Sequence, residues 1–296
     1  MTPDFGTFFE RYEALAREID QVVERVGAEH GQRIACTPGC SDCCHALFDL
    51  TLVEAMYLNA KFNERYSGQS RSDLLTRADE ADRKAYRVKR EAFRLSRDGA
   101  RTTEILEYMA KARVRCPLLD DDDRCALYEH RPLTCRLYGI PTAIRGKAHT
   151  CAKCGFAPGE QYPTVKIELL QDRLLRLSHE LTASLRTRYA RLGETLVPVS
   201  MALMNRYDAE YLGLMSDEEW EKAERLRAML GEQGAPPRPA PARPAPGDVA
   251  AQAFAAPAQG PGSEGRDACA SCDQAKGSDA CATCGTLNWE LGGGRS

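Results

Sequence analysis

The chain has 296 residues, of which 43% are hydrophobic and 28% charged, a globular composition with room for one or two domains. Its net charge of −3 argues against a general affinity for nucleic acid or for an anionic membrane surface, and no apolar run is long enough to span a bilayer. The opening twenty residues lack the basic start and apolar core of a secretory signal, so a reducing, cytoplasmic setting is expected.

Phe5, Phe8, Phe9, Tyr12, Leu15, Ile19, Val22, Val23 and Val26 recur at steps of three and four, which predicts an amphipathic helix over 5–26. A Pro-Gly loop follows in "CTPGCSDCCH", residues 36–45, which puts four cysteines into nine positions. "TLVEAMYLNAKF" then restarts helical spacing, with Thr51 and Glu54 placed to form a capping box. Residues 71–97 read as a long charged helix that stops near Gly99. Between 83 and 101 it carries eight Lys or Arg against two Asp or Glu, with Tyr86 and Phe93 interleaved. An acidic partner or a nucleic-acid backbone would suit such a patch. The expectation is instead a solvated face, with both aromatic rings turned to the core.

"DDDDR", residues 120–124, reads as a solvated turn, since oxygen-ligand loops alternate their ligands with spacers. Pro132 suits the first turn of a short helix bearing Cys135 and Arg136. From Ile167 an apolar stripe through Leu170, Leu174, Leu177, Leu181, Leu185, Tyr189 and Leu192 predicts a further helix. A last one begins at Ser216, its N-cap, with acidic residues in the first turn and Gly231 past its end. Strand-like alternation is scarce. The expected fold is mainly α: a helical domain over 1–232 with irregular cysteine-rich metal-binding loops, then a disordered Pro/Ala-rich linker over 233–265. That linker holds eight of the sixteen prolines.

Thirteen cysteines demand an account. Disulfides are disfavoured in a reducing compartment, the count is odd, and a bond between the neighbours Cys43 and Cys44 would strain the backbone. A catalytic thiol would need only one cysteine beside a cationic group such as His45, and sequence adjacency is not spatial pairing. Soft-metal ligation fits best. Cys36, Cys40, Cys43, Cys44, Cys116, Cys125, Cys135, Cys151 and Cys154 are the candidate ligands, with sulfur spacings that suit zinc or iron–sulfur iron. Adjacent side chains diverge, so Cys43 and Cys44 are expected to do different jobs. Cys151 and Cys154, with His149 nearby, either complete the site or belong to a second one. Arg124, Arg131 and Arg136 are candidate partners for the excess thiolate charge. No glycine fingerprint for a nucleotide cofactor is visible.

Beyond the linker, Cys269, Cys272, Cys281 and Cys284 form C-x2-C-x8-C-x2-C, a four-thiolate pattern for one tetrahedral zinc in a small zinc-knuckle-like unit over 266–296. Between Arg266 and Glu290 two basic residues face four acidic ones, so a protein contact suits this unit better than phosphate.

The chain resembles the YkgJ-like CxxCxxCC cysteine-cluster family, a zinc- or iron-chelating domain. The residues that carry the likeness are Cys36, Cys40, Cys43 and Cys44; then Cys116, Pro117 and Leu118; then Cys125, Tyr128, Arg131, Pro132, Cys135 and Arg136. The first gap holds three residues where the family name gives two. The likeness covers about residues 34–156 and implies metal binding more firmly than any reaction. A flagellin lysine N-methylase shares the cluster. The expected function is therefore a metal-binding protein with a cysteine-ligated iron–sulfur or zinc site, acting in redox, metal handling or assembly. An iron–sulfur-dependent protein-modifying enzyme, such as a protein lysine N-methylase, and a zinc-stapled protein-interaction module are the alternatives that stay open. Expected partners are metal ions and a protein met through the tail, with no membrane and no nucleic acid.

Overall fold

Asp4 starts the first helix by accepting the Gly6 amide on Oδ1 at 2.8 Å, and α1 then runs Gly6–His30. Its buried face, Tyr12, Leu15, Ala16, Ile19, Val22 and Val26, follows the spacing read from the sequence. In this computed structural model residues 3–144, 146–157 and 159–230 are described, together with the strand Asn288–Trp289. After α1 come β1 (Asp49–Thr51), α2 (Leu52–Arg65), α3 (Gly68–Arg97) and α4 (Thr102–Lys111). Next are α5 (Leu133–Leu137), β2 (Thr142–Ile144), β3 (Lys147–His149), β4 (Thr164–Lys166) and α6 (Ile167–Ala183). The last elements are β5 (Leu196–Pro198), α7 (Val199–Met204), α8 (Asp217–Leu230) and β6 (Asn288–Trp289).

The described chain divides into two compact units. The first takes residues 3–12, 38–132 and 174–230; the second takes 13–37 and 133–173, with β6. In the first, β1 and β5 pair antiparallel, Leu50 opposite Val197, α2 and α7 close over them, and α3 packs on α7. Leu50, Leu58, Phe62, Leu118, Leu127 and Leu203 form its centre. Along α3 the buried positions are Leu74, Ala78, Ala81, Ala85 and Ala92; Leu74 and Ala78 join Ala202 and Leu203 of α7 in the core, and Ala81 and Ala85 pack with Val114. In the second unit β2 pairs antiparallel with β3 and parallel with β4, and β4 pairs in parallel with β6. Leu133, Leu137, Ile140, Phe156, Tyr162 and Val165 are buried there.

The helical reading holds, with local departures. The capping box expected at Thr51 and Glu54 does not form. Thr51 lies in β1, its buried hydroxyl without a hydrogen-bond partner, while Glu54 turns inward and accepts the Tyr12 hydroxyl at 3.1 Å. The Val53 amide donates instead to Ser178 Oγ at 3.2 Å. Tyr86 and Phe93 do not face the core. They are 63% and 71% exposed, each one position past a buried alanine and so about 100° off the stripe. Helix α6 stops at Ala183 rather than continuing to Leu192. The Thr182 and Ser184 hydroxyls bond back to the His179 and Leu181 carbonyls, and Thr187 enters a β-bridge with Leu214. Leu185 still reaches the interior from irregular backbone and Leu192 from a short 3-10 turn, and Tyr189 is exposed. The small sheets were not anticipated, because strands of two or three residues are too short to show a period of two.

The expected cap at Ser216 is present: its Oγ accepts the Glu219 amide at 3.2 Å, and Glu219 Oε2 accepts the Ser216 amide at 2.8 Å. Pro132 does precede a short helix that carries Cys135 and Arg136. "DDDDR" is a turn in which Asp120 Oδ1 accepts the amides of Asp122 and Arg124 at 3.0 and 2.7 Å. The proposed linker and four-cysteine tail lie outside the described residues, apart from the strand Asn288–Trp289.

Candidate metal centre

In the first unit a 3-10 turn over Asp42–His45 presents Cys43 and Cys44. The Cys44 amide bonds to the Ser41 carbonyl at 3.0 Å and the Ala46 amide to that of Cys43 at 3.1 Å. His45 Nδ1 lies 3.1 Å from the Ser41 carbonyl, which places the ring proton on that nitrogen and ties the ring to its own turn. A second segment is clamped alongside. The Cys116 amide donates to the Cys44 carbonyl at 2.7 Å and the Val114 amide to that of His45 at 3.0 Å. The chain then folds back on itself: Leu119 bridges Cys125, and the Ala126 amide donates to the Leu118 carbonyl at 2.7 Å. Buried Leu118 and Leu127 anchor the two arms of this loop, and the Tyr66 hydroxyl holds the Ala126 carbonyl at 2.9 Å.

The outcome is a group of thiols that feel one another. A hydrogen bond with Cys44 pushes the Cys43 thiol far up, and burial and the charges of Cys44 and Asp42 add to it. Burial pushes the Cys116 thiol up to about 12, with Cys125 and Cys43 contributing. The Cys116 residue keeps some exposed surface while its thiol lies deep. Cys125 is raised by burial as well, against a downward pull from the Arg131 guanidinium. Such thiols stay protonated at neutral pH until a cation arrives to hold their thiolates. Cys40, half-buried, sits at the end of the Pro38-Gly39 turn in the same unit.

In the second unit the segment that follows Pro132 carries Cys135 and receives the thiols of Cys36 and Cys154. Cys135 rides on α5. Cys36 donates its thiol to the Tyr138 carbonyl at 3.6 Å, and Cys154 donates to the Gly139 carbonyl at 3.4 Å. The Ala35 amide in turn donates to Cys154 Sγ at 3.5 Å. Arg33 fixes this register twice: its carbonyl accepts the Gly155 amide at 2.7 Å, and its guanidinium reaches the Gly155 carbonyl at 2.9 Å. Cys151 opens the tight turn that closes on Cys154, whose amide bonds back to it at 2.9 Å. His149 ends β3 half-buried, and its pKa is lowered by that burial and by Lys147.

Gly139 is the residue the sequence reading missed. It has φ +98°, a region that L side chains rarely adopt, and a Cβ there would collide with the Cys36 sulfur. A glycine just past a five-residue helix was the available signal. The arginines expected beside the thiolates divide. Arg131 acts on Cys125 and stacks on Tyr128 at 4.1 Å, whereas buried Arg136 pairs with Asp20 of α1. Arg124 joins the aspartate turn through its backbone.

None of the nine described cysteines is in a disulfide. Among the described residues no three His, Cys, Asp or Glu side chains are already closed into the geometry of a metal site. The donor set nevertheless fits zinc or iron–sulfur iron, being all soft sulfur, half-buried except at exposed Cys36, and carried on segments tied by backbone hydrogen bonds. Cys269, Cys272, Cys281 and Cys284 lie outside the described residues.

Residues 35–155 match a family model described as "CxxCxxCC: Putative zinc- or iron-chelating domain". No curated protein and no solved structure shows a significant match to the chain.

Proposed function

We propose, given that residues 35–155 form a domain of the CxxCxxCC family, that this is a metal-binding protein with a cysteine-ligated zinc or iron–sulfur centre, working in redox, metal handling or assembly. The observation that carries the reading is how the backbone groups Cys43, Cys116 and Cys125: the Cys116 amide bonds to the Cys44 carbonyl and Leu119 bridges Cys125. They come from separate segments, which backbone hydrogen bonds and the Arg113 guanidinium on Asp42 hold together. Burial keeps these thiols neutral, and a metal binding there would displace their protons and take the thiolate charge. Cys43, Cys116 and Cys125, with Cys40 or Cys44, are the residues that would hold it. When bound, zinc supplies a structural tie and iron–sulfur iron supplies one-electron transfer. Arg131 would offset part of the thiolate charge at Cys125, and the clamp between Cys44 and Cys116 would fix the separation of the ligands. No helix among the described residues is long and apolar enough to cross a membrane.

The test is metal and acid-labile sulfide analysis of the full chain purified without oxygen. Bound metal is expected, and Cys116→Ser should lower it sharply. Brown protein containing sulfide would identify an iron–sulfur centre, and colourless protein with zinc alone a structural one. A chain that holds no metal in either condition overturns the reading.

A further inference from the structure

We propose that the core thiols serve two separate metal centres, one in each compact unit, and that Gly139 keeps the second of them open. The inference rests on the metal-binding reading above. One zinc or one iron–sulfur cluster takes about four thiolates, and the domain offers nine. The fold divides them: Cys43, Cys116 and Cys125 fall in the first unit, Cys36, Cys135 and Cys154 in the second. Each trio has its own scaffold. The first is set by the bond from the Cys116 amide to the Cys44 carbonyl and by the bridge from Leu119 to Cys125. The second is set on residues 135–139, where Cys36 and Cys154 bond to the Tyr138 and Gly139 carbonyls one helical turn beyond Cys135. Cys40 or Cys44 supplies a fourth ligand to the first, and Cys151 to the second.

Gly139 is a positioning residue. The Cys36 sulfur occupies the space a side chain would fill, so any other residue there evicts Cys36 from the second trio. It belongs to the second unit.

The experiment uses the full chain, purified without oxygen, and measures zinc, iron, acid-labile sulfide and thiol alkylation by peptide. Three variants are compared with the parent: C116S/C125S, C36S/C154S and Gly139→Ala. Metal held by the tail cysteines is then common to all four. Each double variant should lose about half of the core metal and keep the rest. Gly139→Ala should expose Cys36, Cys135 and Cys154 to alkylation while Cys116 and Cys125 stay as protected as in the parent. The inference is overturned if either double variant loses all core metal with its helical signal intact, or if Gly139→Ala labels both trios alike or neither. Should a double variant fail to fold, the Gly139→Ala labelling pattern decides. A parent without metal removes both the proposed function and this inference; a parent whose metal cannot be divided removes only this one.

Discussion

Thr51 and Glu54 stand three apart ahead of an apolar run, the spacing of a capping box, yet neither side chain caps α2. Tertiary contacts took both: β1 turned Thr51 into the interior opposite Leu196, and Tyr12 offered Glu54 a buried donor. Thr51 is therefore a buried hydroxyl without a partner, and Thr51→Val should stabilise the fold by about 1 kcal/mol, because valine suits a strand and removes a desolvated group. Were the hydroxyl a cap, the same change would cost about 1 kcal/mol. Urea denaturation of the two proteins reads the sign directly. The same limit applies to the thiols. Their number and chemistry were legible from the sequence, and so was the likeness to the family whose model matches residues 35–155. That Cys36 and Cys43, seven positions apart, fall in different units was not, because it depends on bonds to residues more than seventy positions away.

Helices were read well where their apolar stripe and their caps agreed. The buried face of α1 and the capped start of α8 are examples. Helix α3 shows where such reading fails. Its stripe is made of alanines, so the larger rings of Tyr86 and Phe93 looked like the core residues when they are the exposed ones. The double change Tyr86→Ser/Phe93→Ser should alter stability by no more than about 0.5 kcal/mol, the usual effect of surface substitutions. Core-facing rings would cost about 3–5 kcal/mol each, so thermal melting separates the two placements. At the end of α6 the apolar spacing continued after the helix had stopped. Leu185 and Leu192 keep the period by burial from chain beyond the helix, and periodicity alone cannot distinguish the two.

At the scale of the whole molecule, the four cysteines Cys269, Cys272, Cys281 and Cys284 suit a zinc of their own, separated from the helical domain by the proline-rich stretch 233–265. A chain ending at residue 232 should lose about one zinc and keep both its core metal and its helical circular dichroism. It would also lose β6 from the edge of β4, a two-residue pairing too short to hold a domain together. Loss of the core metal on truncation would assign the tail cysteines to the main site and refute the separation.

Each unit is assembled from stretches that are not neighbours in the sequence, and this has a consequence for biosynthesis. Residues 13–37 leave the ribosome well before 133–173, the partners that complete their unit, and the first unit in turn waits for 174 onward. At ordinary elongation rates the wait from residue 37 to residue 133 is roughly 5–20 s. Through that interval Cys36 is a nascent-chain thiol without its carbonyl partner at Tyr138. Completion of either cysteine group is thus a late event, after synthesis has delivered the distant segments. Until then the growing chain depends on the cell to keep its sulfurs reduced.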